Sequence, residues 1–231
     1  MNGLISYFKS LDLSVLGSFA MRVIPALLCI TLHELSHGFV AYRLGDNTAK
    51  RAGRLTLNPI RHIDPMGLLM MIVFRFGWAR PVPVNMMNFR DPKRGMAVTA
   101  LAGPVSNLLI CAVFLFLYGL LYYPLYIAEK LGTFGTGLLE MIYITAYISL
   151  AMGIFNLFPI PPLDGSKVLY AVLSDNAYYN LMRYERYGMI ALWLLVWTGV
   201  LGSPLSTAVE WSFDKLFNVA QWGFDIVKRF I

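Results

Sequence analysis

The sequence predicts an α-helical polytopic membrane protein, with about four transmembrane helices and a short re-entrant or β segment between the first two. Three observations carry this. Of the 231 residues, 58% are hydrophobic and 14% charged, and the mean hydropathy is +0.60; soluble domains carry about 25% charge. Apolar runs of membrane length recur, separated by polar, turn-rich stretches. Ten of the nineteen Lys and Arg residues fall between Arg43 and Arg94, in one region between apolar runs. The positive-inside rule gives a cytoplasmic loop that distribution. The formal charge of +6 therefore reads as membrane orientation and not as affinity for nucleic acid.

The opening residues, MNGLISYFKSLDLSVLGSF, lack the basic start and small-residue cleavage site of a signal peptide, so the first apolar run is expected to be retained. Residues 1–14 are mildly amphipathic and read as an interfacial lead-in. Span 1 runs from about Leu16 to Leu44 and ends at Gly45-Asp46-Asn47. Met66 to Phe76 is apolar but too short to cross, hence the re-entrant expectation. Trp78 to Asn85 (WARPVPVN) is expected to be extended, because its prolines block a helix. It is a candidate edge strand, tolerated at membrane depth only if covered by protein or facing water.

Span 2, about Gly95 to Tyr123, contains Ala102-Gly103-Pro104, which should admit a close neighbour and kink the helix. The loop at Glu129-Lys130 is almost free of net charge and is expected on the outer side. Span 3 runs from about Leu138 to Leu157 and span 4 from about Tyr187 to Leu201. The tail, Ser203 to Ile231, interleaves aromatic residues with Lys and Asp. It suits an amphipathic helix in the membrane interface, or one packed on the bundle. Cys29 and Cys111 both sit in apolar runs and read as packed, reduced thiols.

The chemistry centres on Thr31 to Gly45, where His33, Glu34 and His37 form H-E-x-x-H late in span 1. Residues i and i+4 share a helix face, so the two imidazoles can bind one zinc ion side by side. Glu34 between them can take a proton from a water on the metal. The motif is short enough to arise by chance, but its setting argues against that. Ionisable side chains within a membrane run cost at least about 2.5 kcal/mol each and are kept for a function.

Catalytic zinc usually takes three protein ligands and leaves a fourth position for water. Two candidates could join the histidines: His62, and Asp164 in FPIPPLDG after span 3. The prolines stop span 3 from continuing as helix, and Gly165 allows a sharp turn beside the carboxylate. Asp164 could equally be the N-cap of a following helix. Asn107 in span 2 has two readings as well, an interhelical hydrogen bond or a polar group lining a groove.

H-E-L-S-H late in span 1 and N-L-F-P-I-P-P-L-D-G at the end of span 3 together resemble the site-2 protease family of intramembrane zinc metalloproteases. The resemblance extends over most of residues 20–175, and GDNTAKRAGRLTLNPIRHIDPMG and AGPVSN look like its compact bacterial members. It implies that His33, His37 and Asp164 bind one zinc per chain, that Glu34 activates water, and that Asn156 lies near the substrate carbonyl. Length and composition leave room for one membrane-embedded domain over 1–231, expected as a metalloprotease with a catalytic core at about 16–175 and, from hydropathy, a C-terminal span and interfacial amphipathic tail at about 187–231. No segment is long enough for a PDZ insertion.

The expected substrate is a transmembrane protein, and the expected location a bacterial cytoplasmic membrane, with the active site nearer the cytoplasmic side. A homo-oligomer or a regulatory membrane partner is left open. A helical amide is shielded by its own turns, so substrate must unwind to be cut. An extended edge at Trp78–Asn85 could receive it by strand addition, through the carbonyls of Pro81 and Pro83 and the N–H groups of Val82 and Val84. His62 is assigned no ligand role by the resemblance and is expected as a polar groove residue or a contact behind a ligand, since a fourth protein ligand would close the site.

A metal or ion transporter using the same His/Asp cluster is the alternative. Transport favours acidic residues along several spans and repeated halves; here Glu34 and Glu140 stand almost alone, and no repeat is evident.

Overall fold

A computed structural model describes residues 13–74, 78–184 and 187–230. The expected lead-in at residues 1–14 lies outside this set apart from Leu13 and Ser14. The long helices are α1 (Leu13–Arg43), α4 (Pro92–Tyr122), α5 (Gly132–Leu157) and α9 (Gly202–Lys228). Shorter helices are α2 (Thr48–Arg51), α3 (Pro65–Phe74), α6 (Asp164–Ala171), α7 (Asp175–Tyr184) and α8 (Gly188–Trp197). Among the described residues, three stretches are long and apolar enough to cross a membrane, Met21–Arg43, Pro92–Ile127 and Gly132–Leu157, with a fourth if the bent pair α8 and α9 counts as one span.

Local sequence sets the ends of these helices. At the end of α1, Gly45 takes φ +108°, and Asp46 N–H and Gly45 N–H donate to the carbonyls of Ala41 and Tyr42. These are the paired bonds of a Schellman cap, in which glycine meets no Cβ penalty. α4 starts at Asp91-Pro92: the Asp91 carboxylate accepts from Arg94 N–H, and Pro92 fills the first helical position, where no N–H is required. α3 has ten residues, about 15 Å of helix, which is half the hydrocarbon thickness.

α4 is the central helix and packs against α1, α5, α6 and α9. Cys111, Leu115, Ala146, Leu150, Phe213 and Ala220 form the core shared by α4, α5 and α9. Both cysteines are free and buried.

The fourth span differs from expectation. Its apolar run forms α8, only ten residues long, which meets α9 at an angle of 84°. α9, the expected tail, packs along α4, with Ala220 so close to Gly119 that a side chain at Gly119 would overlap its carbonyl. α9 packs on the bundle because the buried side chains Val209, Phe213 and Ala220 repeat along one face, and α8 and α9 are long and apolar enough to cross a membrane only when taken together as a bent pair.

The expected edge strand is reduced to an extended chain with one bridge. Ala79 bridges Ile63 in antiparallel fashion, and Arg80 N–H donates to the His62 carbonyl at 2.9 Å. The described residues contain no longer strand. From the Arg80 carbonyl onward the chain is held by side chains instead: Arg54 Nη2 donates to that carbonyl, and Asn85 N–H donates to Asp46, each at 2.7 Å.

Candidate active site

His33 and His37 stand one turn apart on α1, and their Nε2 atoms are 3.0 Å from each other. Each lies 3.2 Å from Oδ2 of Asp164. All three residues are buried. Asp164 is not the cap of its helix. That position belongs to Leu163, which makes no side-chain cap bond, and Asp164 is the first helical residue. The turn through the cis Pro161–Pro162 peptide brings its carboxylate to the histidines across the bundle.

The atoms behind the imidazoles define what the front can do. His37 Nδ1 lies 2.7 Å from the Thr99 carbonyl. A carbonyl only accepts, so Nδ1 carries the proton and Nε2 presents a lone pair. His33 Nδ1 lies 3.2 Å from the side-chain amide of Asn107. The Asn107 side-chain oxygen is buried with no other partner; turned toward His33 it accepts from Nδ1–H, and this ring too presents Nε2 as a lone pair. Asp164 Oδ2 is buried without a hydrogen-bond donor. Three electron-pair donors therefore converge where a cation answers all three, and the donor set, two imidazoles and one carboxylate, fits catalytic zinc. Each imidazole also has the hydrogen-bond partner behind it that metal-bound histidines have.

Gly103 of α4 faces this cluster. A methyl group there would overlap His37 Nε2 and His33 Cε1, so the close approach expected of Ala102-Gly103-Pro104 is an approach to imidazole.

A cavity of about 360 Å³ opens beside the cluster and is lined by His33, Glu34, His37, Pro81, Val82, Val84, Asn156, Asp164 and Lys167, among others. Val82 N–H donates to Glu34 Oε2 at 2.8 Å. Asn156 donates one amide N–H to the Met152 carbonyl on its own helix at 2.9 Å, and a primary amide keeps a second N–H.

Two residues expected near the substrate lie elsewhere. Asn107 is fully buried behind His33, and its backbone carbonyl accepts from the Ser149 hydroxyl at 2.9 Å. Of its two readings, the interhelical hydrogen bond is the one the geometry fits, because α4 turns it toward His33 on α1 and Ser149 on α5. His62 lines a separate 70 Å³ cavity with Thr31 and Trp78, and its Nε2 lies 2.9 Å from the Thr56 carbonyl. The loop that carries it packs outside the cluster, so His62 holds the extended segment through its backbone carbonyl. Thr99 and Lys167 were missed by sequence reading. Thr99 acts through its carbonyl, which no side-chain pattern reports. Lys167, three residues after Asp164, could have been found by asking which neighbours share a ligand's helix face.

Membrane-length helices clasping a site of this kind make the protein an integral-membrane metallopeptidase. Sequence comparison gives its family. Residues 121–196 match the profile of Peptidase family M50. "Putative zinc metalloprotease YwhC" of Bacillus subtilis is 40% identical over 200 residues, covering 85% of this chain and 90% of that protein. "Putative zinc metalloprotease Rip2" of Mycolicibacterium smegmatis is 30% identical over 206 residues, 87% of this chain and 76% of that protein. "Putative zinc metalloprotease MJ0611" of Methanocaldococcus jannaschii is 31% identical over 138 residues, 59% of this chain and 62% of that protein. No solved structure matches. The chain belongs to peptidase family M50, the site-2 protease family, and is a zinc metallopeptidase of that type. These matches lend no support to the transporter alternative.

Proposed function

We propose that this protein is an intramembrane endopeptidase that cuts peptide bonds in or near the transmembrane segments of other membrane proteins, using one zinc per chain held by His33, His37 and Asp164. The observation that carries this reading is the convergence of those three residues beside Glu34, on the wall of a cavity shared with an extended segment. Zinc in this site supplies Lewis acidity toward a carbonyl oxygen and a water molecule.

The chain's own residues do the rest. Glu34, steadied at Oε2 by Val82 N–H, takes a proton from water and returns it to the leaving amine. The second amide N–H of Asn156 is available to a substrate carbonyl oxygen as it gains negative charge. Val82 and Val84 receive unwound substrate in the cavity. Asn107 and the Thr99 carbonyl hold the imidazoles in the tautomer that zinc requires. The chain acts as one metalloprotease domain, with its catalytic core at about 16–175. The cluster lies toward the end of α1 and the start of α4, which the basic stretch Arg43–Arg94 connects. That supports an active site nearer the cytoplasmic side of a bacterial cytoplasmic membrane.

The test is co-expression with candidate single-span membrane proteins, comparing wild type with Glu34→Gln. Wild type should release fragments. The variant should accumulate uncut substrate while keeping its zinc. Equal cleavage by a zinc-loaded Glu34→Gln protein would overturn the role of Glu34.

A further inference from the structure

Helix α9 carries two unlike faces. One is buried against α4 and α5 through Val209, Phe213, Ala220 and Gly223. The other points away from the bundle and is unlike a lipid-facing surface. α9 runs in the same direction as α4: Phe213 shares a core cluster with Cys111 and Leu115, Phe217 packs on Tyr118 and Phe224 on Tyr122, and Gly223 lies against the backbone of Phe116 and Leu120. Outward residues between those points are therefore level with the interior of α4, which is long and apolar enough to cross a membrane. They include Asp214, Lys215 and Asn218, all exposed. Charged groups at that depth are costly unless they are paired, and among the described residues neither Asp214 nor Lys215 has an ion-pair partner within the chain.

We propose that this face is the interface with a second copy of the chain, the two α9 helices packed in parallel about a twofold axis along the membrane normal. Copies inserted in the same orientation can pair helices only in parallel, so residues at equal depth meet. At about 100° per residue, Asn218 lies near the middle of the outward face, with Asp214 about 40° to one side and Lys215 about 60° to the other. Twofold symmetry then brings Asp214 toward the partner's Lys215, twice, and sets Asn218 against its own copy. Flanking charge pairs and one central polar residue are the devices that fix partner and register in paired helices. Trp211 and Trp222, 66% and 64% exposed, lie about two turns before and one turn after Asn218 on the same face. A partner of single charge would answer Asp214 or Lys215 alone. A second copy answers both.

The experiment uses the full chain in membranes. Asn218→Cys should cross-link under mild oxidation to a species of twice the chain mass, whereas Val209→Cys, buried against the bundle, should not. Asp214→Lys and Lys215→Asp should each reduce the cross-linked fraction by roughly tenfold, and the doubly reversed chain should recover it. Zinc content of each variant checks folding, and recovery in the double variant excludes loss of fold as the cause. A cross-link to a protein of another mass, a monomer throughout, or no recovery in the double variant would overturn the proposal.

Discussion

The backbone N–H of Val82 donates to Oε2 of Glu34 at 2.8 Å, tying the extended segment to the residue assigned as general base. Val82→Pro removes that N–H and leaves most of the aliphatic side chain. Cleavage should fall at least about tenfold, from loss of a charge-assisted hydrogen bond of roughly 1.5–3 kcal/mol. The loss should appear in kcat, with zinc content near wild type. A raised KM with unchanged kcat would show that Val82 serves substrate binding and not the base.

The same bond revises how substrate could pair. The sequence offers Val82 and Val84 as donors and the carbonyls of Pro81 and Pro83 as acceptors. Successive residues of an extended chain turn their polar groups to opposite edges, so these four groups cannot serve one partner. Val82 and Val84 share an edge, and the Val82 N–H is already given to Glu34. Val84 N–H is the donor left. Val84→Pro should lower cleavage by about tenfold, as one lost hydrogen bond of roughly 1–1.5 kcal/mol implies. Zinc content and folding should hold. Equal cleavage by a stable, zinc-loaded Val84→Pro protein would end the strand-addition idea and leave the peptidase assignment intact.

Gly103→Ala should weaken zinc binding although Gly103 carries no ligand atom, because the added methyl overlaps both imidazoles. Rigid neighbours cannot yield without moving the ligands, so affinity should drop by roughly the 10- to 100-fold seen when supporting contacts of a metal site are lost. Gly137→Ala, with nothing within 4 Å of the new methyl, is the control. Metal titration of the two variants decides it.

Direct ligand substitutions discriminate between the two candidates open in the sequence. Asp164→Ala should abolish tight zinc binding, and His62→Ala should leave it near wild type, since His62 faces a different cavity. The reverse pattern in metal analysis would transfer the third-ligand role to His62.

These residues also show where sequence reading reaches its limit. The membrane class was legible because hydropathy is summed over tens of residues and survives local error. His33, Glu34 and His37 were legible because helix geometry alone puts them on one face. Asp164 was not legible from local physics, since a cap and a ligand have the same neighbours in sequence; Leu163 at the cap position separates them. Asn107 and His62 could not be placed because their surroundings come from distant elements. The break between α8 and α9 was hidden for a related reason. Glu210 and Asp214 lower the hydropathy of a helix whose opposite face is core.

Asp46 offers the clearest pH dependence, because it lies outside the spans and away from the metal ligands. It is fully buried and accepts four hydrogen bonds, from the Thr48 N–H and hydroxyl, the Asn85 N–H and the Asn88 amide. It thereby ties the cap of α1 to the far end of the extended segment. Burial by itself would raise its pKa, but the bonds from Thr48, Asn85 and Asn88 overcome that and hold the carboxyl below the ordinary carboxylate range. A folded pKa below the unfolded one, about 3.9, means that the charged form stabilises the fold. That contribution is complete above the unfolded value and is lost as pH falls through the folded one. Asp46→Asn should therefore be less stable at pH 7 by about 1–3 kcal/mol, since an amide nitrogen facing buried donors leaves them unpaired. The gap between wild type and variant should narrow as pH drops below about 4. Every other titrating group is common to the two proteins and cancels in the difference. Thermal unfolding in detergent across pH 3–7 measures it, and a gap that is constant over that range would show that the Asp46 charge contributes nothing.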